Sequence, residues 1–138
     1  MNALAANGSG DLSGPGKRGK FPRSVRLLRH ADFERVYKQG RRHFAAHLTV
    51  FYLPRPVNEN EAGGVRVGFT VGKVLGGAVV RNRMKRRLRE AVRLHGMFQA
   101  AMDVVINPKK SLLTAAFVDV QREIRRAFEV IGKSAEKA

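Results

Sequence analysis

Apolar residues along this chain recur at two periods, and the places where one period gives way to the other lay out the fold. In His30–Gln39, Phe33, Val36 and Tyr37 fall at i, i+3 and i+4, the spacing of one helix face, with Asp32 and Glu34 near the positive end of the helix dipole. Gly40 ends that helix. From Arg41 to Leu53 the period shortens to two: Leu48, Val50 and Tyr52 alternate with Thr49 and Phe51 until Pro54-Arg55-Pro56 stops the run. Residues 54–64, with Asn58, Asn60 and Gly63-Gly64, make a polar connection. Val65, Val67, Phe69 and Val71 then alternate with Arg66, Gly68 and Thr70, as in a strand with one buried face.

Gly72-Lys73-Val74-Leu75-Gly76-Gly77 breaks that strand and leads into a helix expected over Ala78 to Met97. Val104-Val105-Ile106, entered at Asp103 and closed by Asn107-Pro108, reads as a short buried central strand. Phe117, Val120, Ile124, Ala127, Phe128 and Ile131 share one stripe of a last helix, whose start Ser111 or Thr114 can cap. The element order is α-β-β-(β)-α-β-α, the bracket allowing the long first strand to split in two. It predicts an α+β fold, a two-layer α/β sandwich in which helices cover a small mixed sheet.

With 138 residues and 43% hydrophobic content, the chain suits one domain with a modest core. That domain is expected over 21–133, after a disordered, Gly-rich, basic arm at 1–20 and before a flexible tail at 134–138. The formal net charge is +16, from 27 Lys and Arg against 11 Asp and Glu, and this changes the picture most: it points to nucleic acid or another anionic partner. No apolar run approaches the ~20 residues that span a bilayer, so a membrane partner is not expected and the location expected is cytoplasmic. The absence of Cys excludes disulfides, thiolate metal sites and cysteine chemistry.

The charge is concentrated where the helical period is clearest. Between Arg81 and Arg93, Glu90 is the sole acid against seven bases, whereas a solvated helix normally mixes signs at i, i+4. At about 100° per residue, Val80, Met84, Leu88, Ala91 and Val92 form one narrow apolar stripe. Asn82, Arg86, Arg89 and Arg93 lie opposite it, with Arg81 and Lys85 on one shoulder and Arg83 and Arg87 on the other. Such a helix docks by its stripe and offers guanidinium forks, suited to bidentate phosphate contacts, over the rest of its circumference.

Other candidate chemistry is thin. The glycines at 72–77 do not form a nucleotide-hydrolysing loop, because Lys73 precedes them instead of following; a turn that delivers the basic helix, with Lys73 free to reach a phosphate, accounts for the same residues. His43 and His47 are four apart in a segment read as extended, where that spacing makes no metal pair. A protein nuclease needs converging acids and bases, and the acids here are few and scattered: Asp32, Glu34, Glu90 and Asp103. Core packing is the default for the aromatics. Yet Phe33 and Tyr37 share a helix face that already has Val36, and rings beside a basic surface suit the stacking of unpaired bases.

Together these residues resemble a known family, the protein component of bacterial ribonuclease P. The resemblance runs from Phe21-Pro22-Arg23-Ser24-Val25-Arg26-Leu27-Leu28, through Asp32-Phe33, Lys38-Gln39-Gly40 and Arg66-Val67-Gly68, to the final helix. Its most specific part is Ala78 to Glu90, similar to the family's Arg-Asn-Arg signature helix. The resemblance implies a left-handed β-α-β crossover and a domain like those of some ribosomal proteins. It implies that the partner RNA is the catalyst, cutting precursor transfer RNA with Mg2+ used by the RNA–protein holoenzyme, so that no catalytic residue, metal ligand or bound cofactor is expected on this chain. The partners implied are ribonuclease P RNA and precursor transfer RNA, with no obligate protein partner. By position, Arg81, Asn82, Arg83, Lys85, Arg86, Arg87 and Arg89 would face the catalytic RNA together with Lys73, while Phe33, Tyr37 and Phe51 would line a cleft for the single-stranded 5′ leader. Phe51 is preferred to Tyr52 by register, since a slip of one residue flips the face. Where the family commonly has Ser-Lys-Lys, this chain has Gly72-Lys73-Val74 and so lacks one base. The alternative is a structural RNA-binding protein of ribosomal type.

Overall fold

A computed structural model describes residues 29–55, 64–95 and 101–137. The arm expected over 1–20, the start of the family resemblance at 21–28 and most of the 54–64 connection lie outside them. Helix α1 spans His30–Gln39, strands β1 and β2 Arg41–Phe44 and Leu48–Pro54, and β3 Val65–Phe69; helix α2 spans Ala78–His95, β4 Met102–Pro108 and α3 Phe117–Lys137.

Gly40 ends α1 by donating its backbone N–H to the Val36 carbonyl, 2.8 Å away. A Cβ there would sit 2.5 Å from that carbonyl oxygen and 2.7 Å from that of Tyr52, so only glycine lets α1 pass this close to β2. The long first strand does split: β1 and β2 form a hairpin paired from Arg41↔Tyr52 to Phe44↔Thr49. Its turn, Ala45-Ala46-His47, carries none of the Gly, Asn or Pro that mark turns in a sequence. The sheet order is β1-β2-β4-β3, with β2 antiparallel to β4 and β3 parallel to it. Parallel neighbours need a crossover, and α2 supplies it.

The pleat then sorts side chains by face. Leu48, Val50 and Tyr52, Val65 and Val67, and Met102, Val104 and Ile106 join Met84, Leu88, Ala91 and Val92 of α2 and Val120, Ile124, Ala127, Phe128 and Ile131 of α3 in the main core. On the other face Phe33, Val36 and Tyr37 of α1 pack with Phe51, Leu53 and Val105. Covered on both faces, β4 is buried along nearly its whole length.

Several boundaries shift. The described part of α2 ends at His95, and Met97 lies outside the described residues. Neither Ser111 nor Thr114 caps α3: Ser111 lies within a 3-10 turn, Lys110–Leu113, and Thr114 closes it by donating its N–H to the Ser111 carbonyl. Helix α3 runs on to Lys137, past the expected domain limit of 133, because Ser134-Ala135-Glu136-Lys137 contains no Gly or Pro stop. Among the described residues no helix is long and apolar enough to cross a membrane.

Candidate nucleic-acid interface

The link from β3 to α2 turns at Gly76, whose φ of 146° is closed to ordinary L-residues and where a Cβ would meet Val80 at 2.9 Å. Arg81 fastens the same turn from the helix side, its Nε donating to the Gly76 carbonyl at 3.1 Å. Lys73 is exposed just before it. On α2, Asn82, Arg83 and Arg86 are exposed, and Arg81, Lys85 and Arg89 form a half-buried row at i, i+4, i+8. Burial, then Arg89 and Arg81, hold the Lys85 pKa below the usual lysine value. Without a polyanion the row repels itself; phosphates placed against it relieve that repulsion.

Arg87, half-buried like Arg81 and Arg89, is distinguished by its partners within the protein. Its Nη1 donates to the carbonyls of Leu112 at 2.7 Å and Leu113 at 2.9 Å, its Nη2 to that of Ala115, and its guanidinium carbon lies 5.9 Å from the centroid of the Phe117 ring. The wheel puts Arg83 and Arg87 on one shoulder, but α3 enters beside the second, and carbonyls left without partners around the 3-10 turn take up its donors.

The three aromatics proposed for the leader come together on the α1 face of the sheet. Tyr37 and Phe51 meet edge to face with centroids 4.9 Å apart, and Phe33 packs in the same cluster. Tyr52 points the other way, 5% exposed in the main core, so the register that favoured Phe51 is the one formed. The Tyr37 hydroxyl lies 2.7 Å from Thr70 Oγ1 and 2.9 Å from Asn107 Oδ1, and the guanidinium carbon of Arg42 lies 5.5 Å from the centroid of the Phe51 ring. Phe44, two residues on from Arg42 along β1, is 66% exposed on this face. Thr70 and Asn107 stand at the carboxyl ends of the parallel strands, the end from which the chain passes through Lys73 into α2. Aromatic and cationic surfaces therefore meet at one end of the sheet.

At the other end, Asp103 is fully buried among arginines. Arg66, opposite it on β3, donates from Nε at 2.8 Å and Nη2 at 2.9 Å; Arg35 of α1 donates from Nη2, and Arg55 from Nη1 at 3.4 Å. Asp32 lies 3.6 Å from Arg35 and 3.8 Å from Arg66. Guanidinium groups thus saturate the Asp103 carboxylate and flank that of Asp32. Among the described residues no three His, Asp or Glu side chains converge as a metal-binding group. His43 lies in β1, whereas His47 is a turn residue, its Nδ1 2.7 Å from Ser111 Oγ and its N–H donating to Glu123 Oε1 at 2.9 Å.

A family model, Ribonuclease P, matches residues 21–132, most of the chain. The chain belongs to the ribonuclease P protein family. Among its relatives is the ribonuclease P protein component of Syntrophus aciditrophicus, 36% identical over 109 residues that cover 78% of this chain and 87% of the relative. That of Citrifermentans bemidjiense is 39% identical over 108 residues, covering 78% and 89%. Among solved structures, the RNase P protein of Staphylococcus aureus is 25% identical with a TM-score of 0.63, over 78% of this chain and 94% of that one. The RNase P protein of Thermotoga maritima, in complex with 1-(4-fluorophenyl)-2-thiourea, is likewise 25% identical with a TM-score of 0.63, covering 75% and 96%.

Within this member of the ribonuclease P protein family, sequence reasoning missed three features: the arginine cage of Asp103, the carbonyl partners of Arg87, and Phe44 with Arg42 on the aromatic face. One signal was available for the first, an acid opening an otherwise apolar central strand, since a buried charge requires partners. The other two depend on how β1 pairs and where α3 enters.

Proposed function

We propose that this chain is the protein subunit of ribonuclease P, docking ribonuclease P RNA through the open face of α2 and receiving the 5′ leader of precursor transfer RNA on the aromatic face. One observation carries the placement: the ring cluster at Tyr37 and Phe51 and the start of the cationic helix meet at the same end of the sheet, joined by the short segment from Thr70 to Lys73. Lys73, Arg81, Asn82, Arg83, Lys85, Arg86 and Arg89 serve the catalytic RNA, and Arg87 serves the fold that holds them. Phe33, Tyr37 and Phe51 serve the leader, whose unpaired bases stack on rings without regard to sequence.

The reading assigns bond cleavage, and the Mg2+ it uses, to the RNA–protein holoenzyme in the cytoplasm, with no catalytic group on this chain. The protein works by electrostatics: two polyanions approach each other more easily when cations lie between them. The test mixes the purified chain with ribonuclease P RNA and precursor transfer RNA at low Mg2+. Cleavage at the mature 5′ end should rise on adding protein, and affinity should be higher for precursor than for leaderless transfer RNA. Absence of stimulation, or co-sedimentation with ribosomes instead of binding to this RNA, would reject the proposal.

A further inference from the structure

A cavity of about 490 Å³ lies between the outer edge of the sheet and α3. Tyr52, Pro54 and Val130 give it apolar walls, and Arg41 and Lys133 line it as well. Its volume is within the range of small-ligand sites. Arg41 pairs with Tyr52 across the hairpin and His43 with Val50, so the side chains of Arg41 and His43 point to the α3 side of the sheet. Burial, then the nearby Arg126 of α3, hold the His43 pKa below the usual imidazole value. The cations therefore continue beyond the cavity along β1 and α3, matching a run of phosphates better than a single anion.

Two features of this place suit an anionic, hydrogen-bonding occupant. Among the described residues, the exposed cations Arg41, Arg126 and Lys133 form no ion pair, whereas Arg122 of α3 pairs with Asp119 at 2.9 Å. Tyr52 is only 5% exposed, yet its hydroxyl makes no hydrogen bond among the described residues. A buried phenol ordinarily finds a partner.

We infer that this cavity takes an unpaired nucleotide of the same RNA that docks on α2, its base against the apolar wall within reach of the Tyr52 hydroxyl and its phosphate between Arg41 and Lys133. Base edges supply the donors and acceptors that Tyr52 lacks, and the phosphate supplies the missing charge. The inference rests on the functional reading above. It commits to the docking RNA instead of the leader because α2 and the cavity lie on one side of the sheet, flanking α3, whereas the aromatic face is on the other.

The test measures binding of the full chain to ribonuclease P RNA across a salt series. Arg41→Gln combined with Lys133→Gln should weaken binding about tenfold and lower the salt slope by about 1.4 to 1.8, two phosphate contacts' worth. Tyr52→Phe should weaken it severalfold with the slope and melting temperature unchanged. Because the chain has no Cys, Lys133→Cys carrying a photo-crosslinker should label a defined unpaired nucleotide of that RNA. Three results overturn the inference: an unchanged slope in the double variant while Arg83→Ala lowers it in the same buffers, crosslinks to the precursor leader, or crosslinks only to paired RNA. Failure of the wild-type chain to bind the RNA at all would reject the parent reading as well.

Discussion

Arg83 and Arg87 differ by one helical turn and have opposite surroundings. Arg83 is exposed, whereas Arg87 spends its donors on the carbonyls of Leu112, Leu113 and Ala115. Truncating each gives a separable outcome. Arg83→Ala should leave the melting temperature unchanged and lower the salt slope of RNA binding by about 0.7 to 0.9. Arg87→Ala removes charged hydrogen bonds worth about 2 kcal/mol in all, so its melting temperature should fall by roughly 8 °C for a domain of this size, while the salt slope stays at the wild-type value. Thermal unfolding and salt titration of both variants check this; a lowered slope in Arg87→Ala with unchanged stability would return that residue to the RNA surface. The helical period placed both arginines correctly around α2. It contains no information about which neighbour comes to cover them.

Among the three α-helices, α1 has the least apolar anchorage: Val36 is its one fully buried side chain among the described residues. Its second attachment is ionic, through Arg35 and Asp32 to the cage around Asp103. Asp103→Asn withdraws the charge that three arginines share, and breaking a buried pair by removing one partner costs about 3 kcal/mol or more. We expect α1 amides to exchange faster with solvent before those of α2 and α3, and discrimination between precursor and mature transfer RNA to fall more than affinity for ribonuclease P RNA. Equal loss of protection in all three helices would refute this local role. The strands and helices themselves were legible from their periods. The β1–β2 turn was not, because Ala45-Ala46-His47 turns under the hold of its surroundings: Lys109 Nζ donates to the Ala45 carbonyl, and Glu123 and Ser111 engage His47.

Across the whole molecule the net charge of +16 acts on stability and on binding with opposite signs. Like charges concentrated on α2 oppose the folded state, and salt screens them. Raising NaCl from about 50 to 200 mM should therefore raise the melting temperature of the free chain and weaken its RNA complex, on the order of a thousandfold for about six phosphate contacts. A free chain destabilised by the same salt would show that attractive ion pairs, such as those of Asp103, outweigh the repulsion. What the sequence determined by itself was the period of each element, the polyanionic partner and the family, because periodicity, composition and a signature helix are properties of neighbours along the chain. Tertiary structure alone decided that Arg87 reaches the carbonyls of Leu112, Leu113 and Ala115, that Asp103 is caged and that Tyr52 borders a cavity, its hydroxyl without a hydrogen bond among the described residues. Each depends on groups far apart in sequence, and which donor meets which carbonyl or carboxylate is fixed only when sheet pairing and helix packing have set the distances between them.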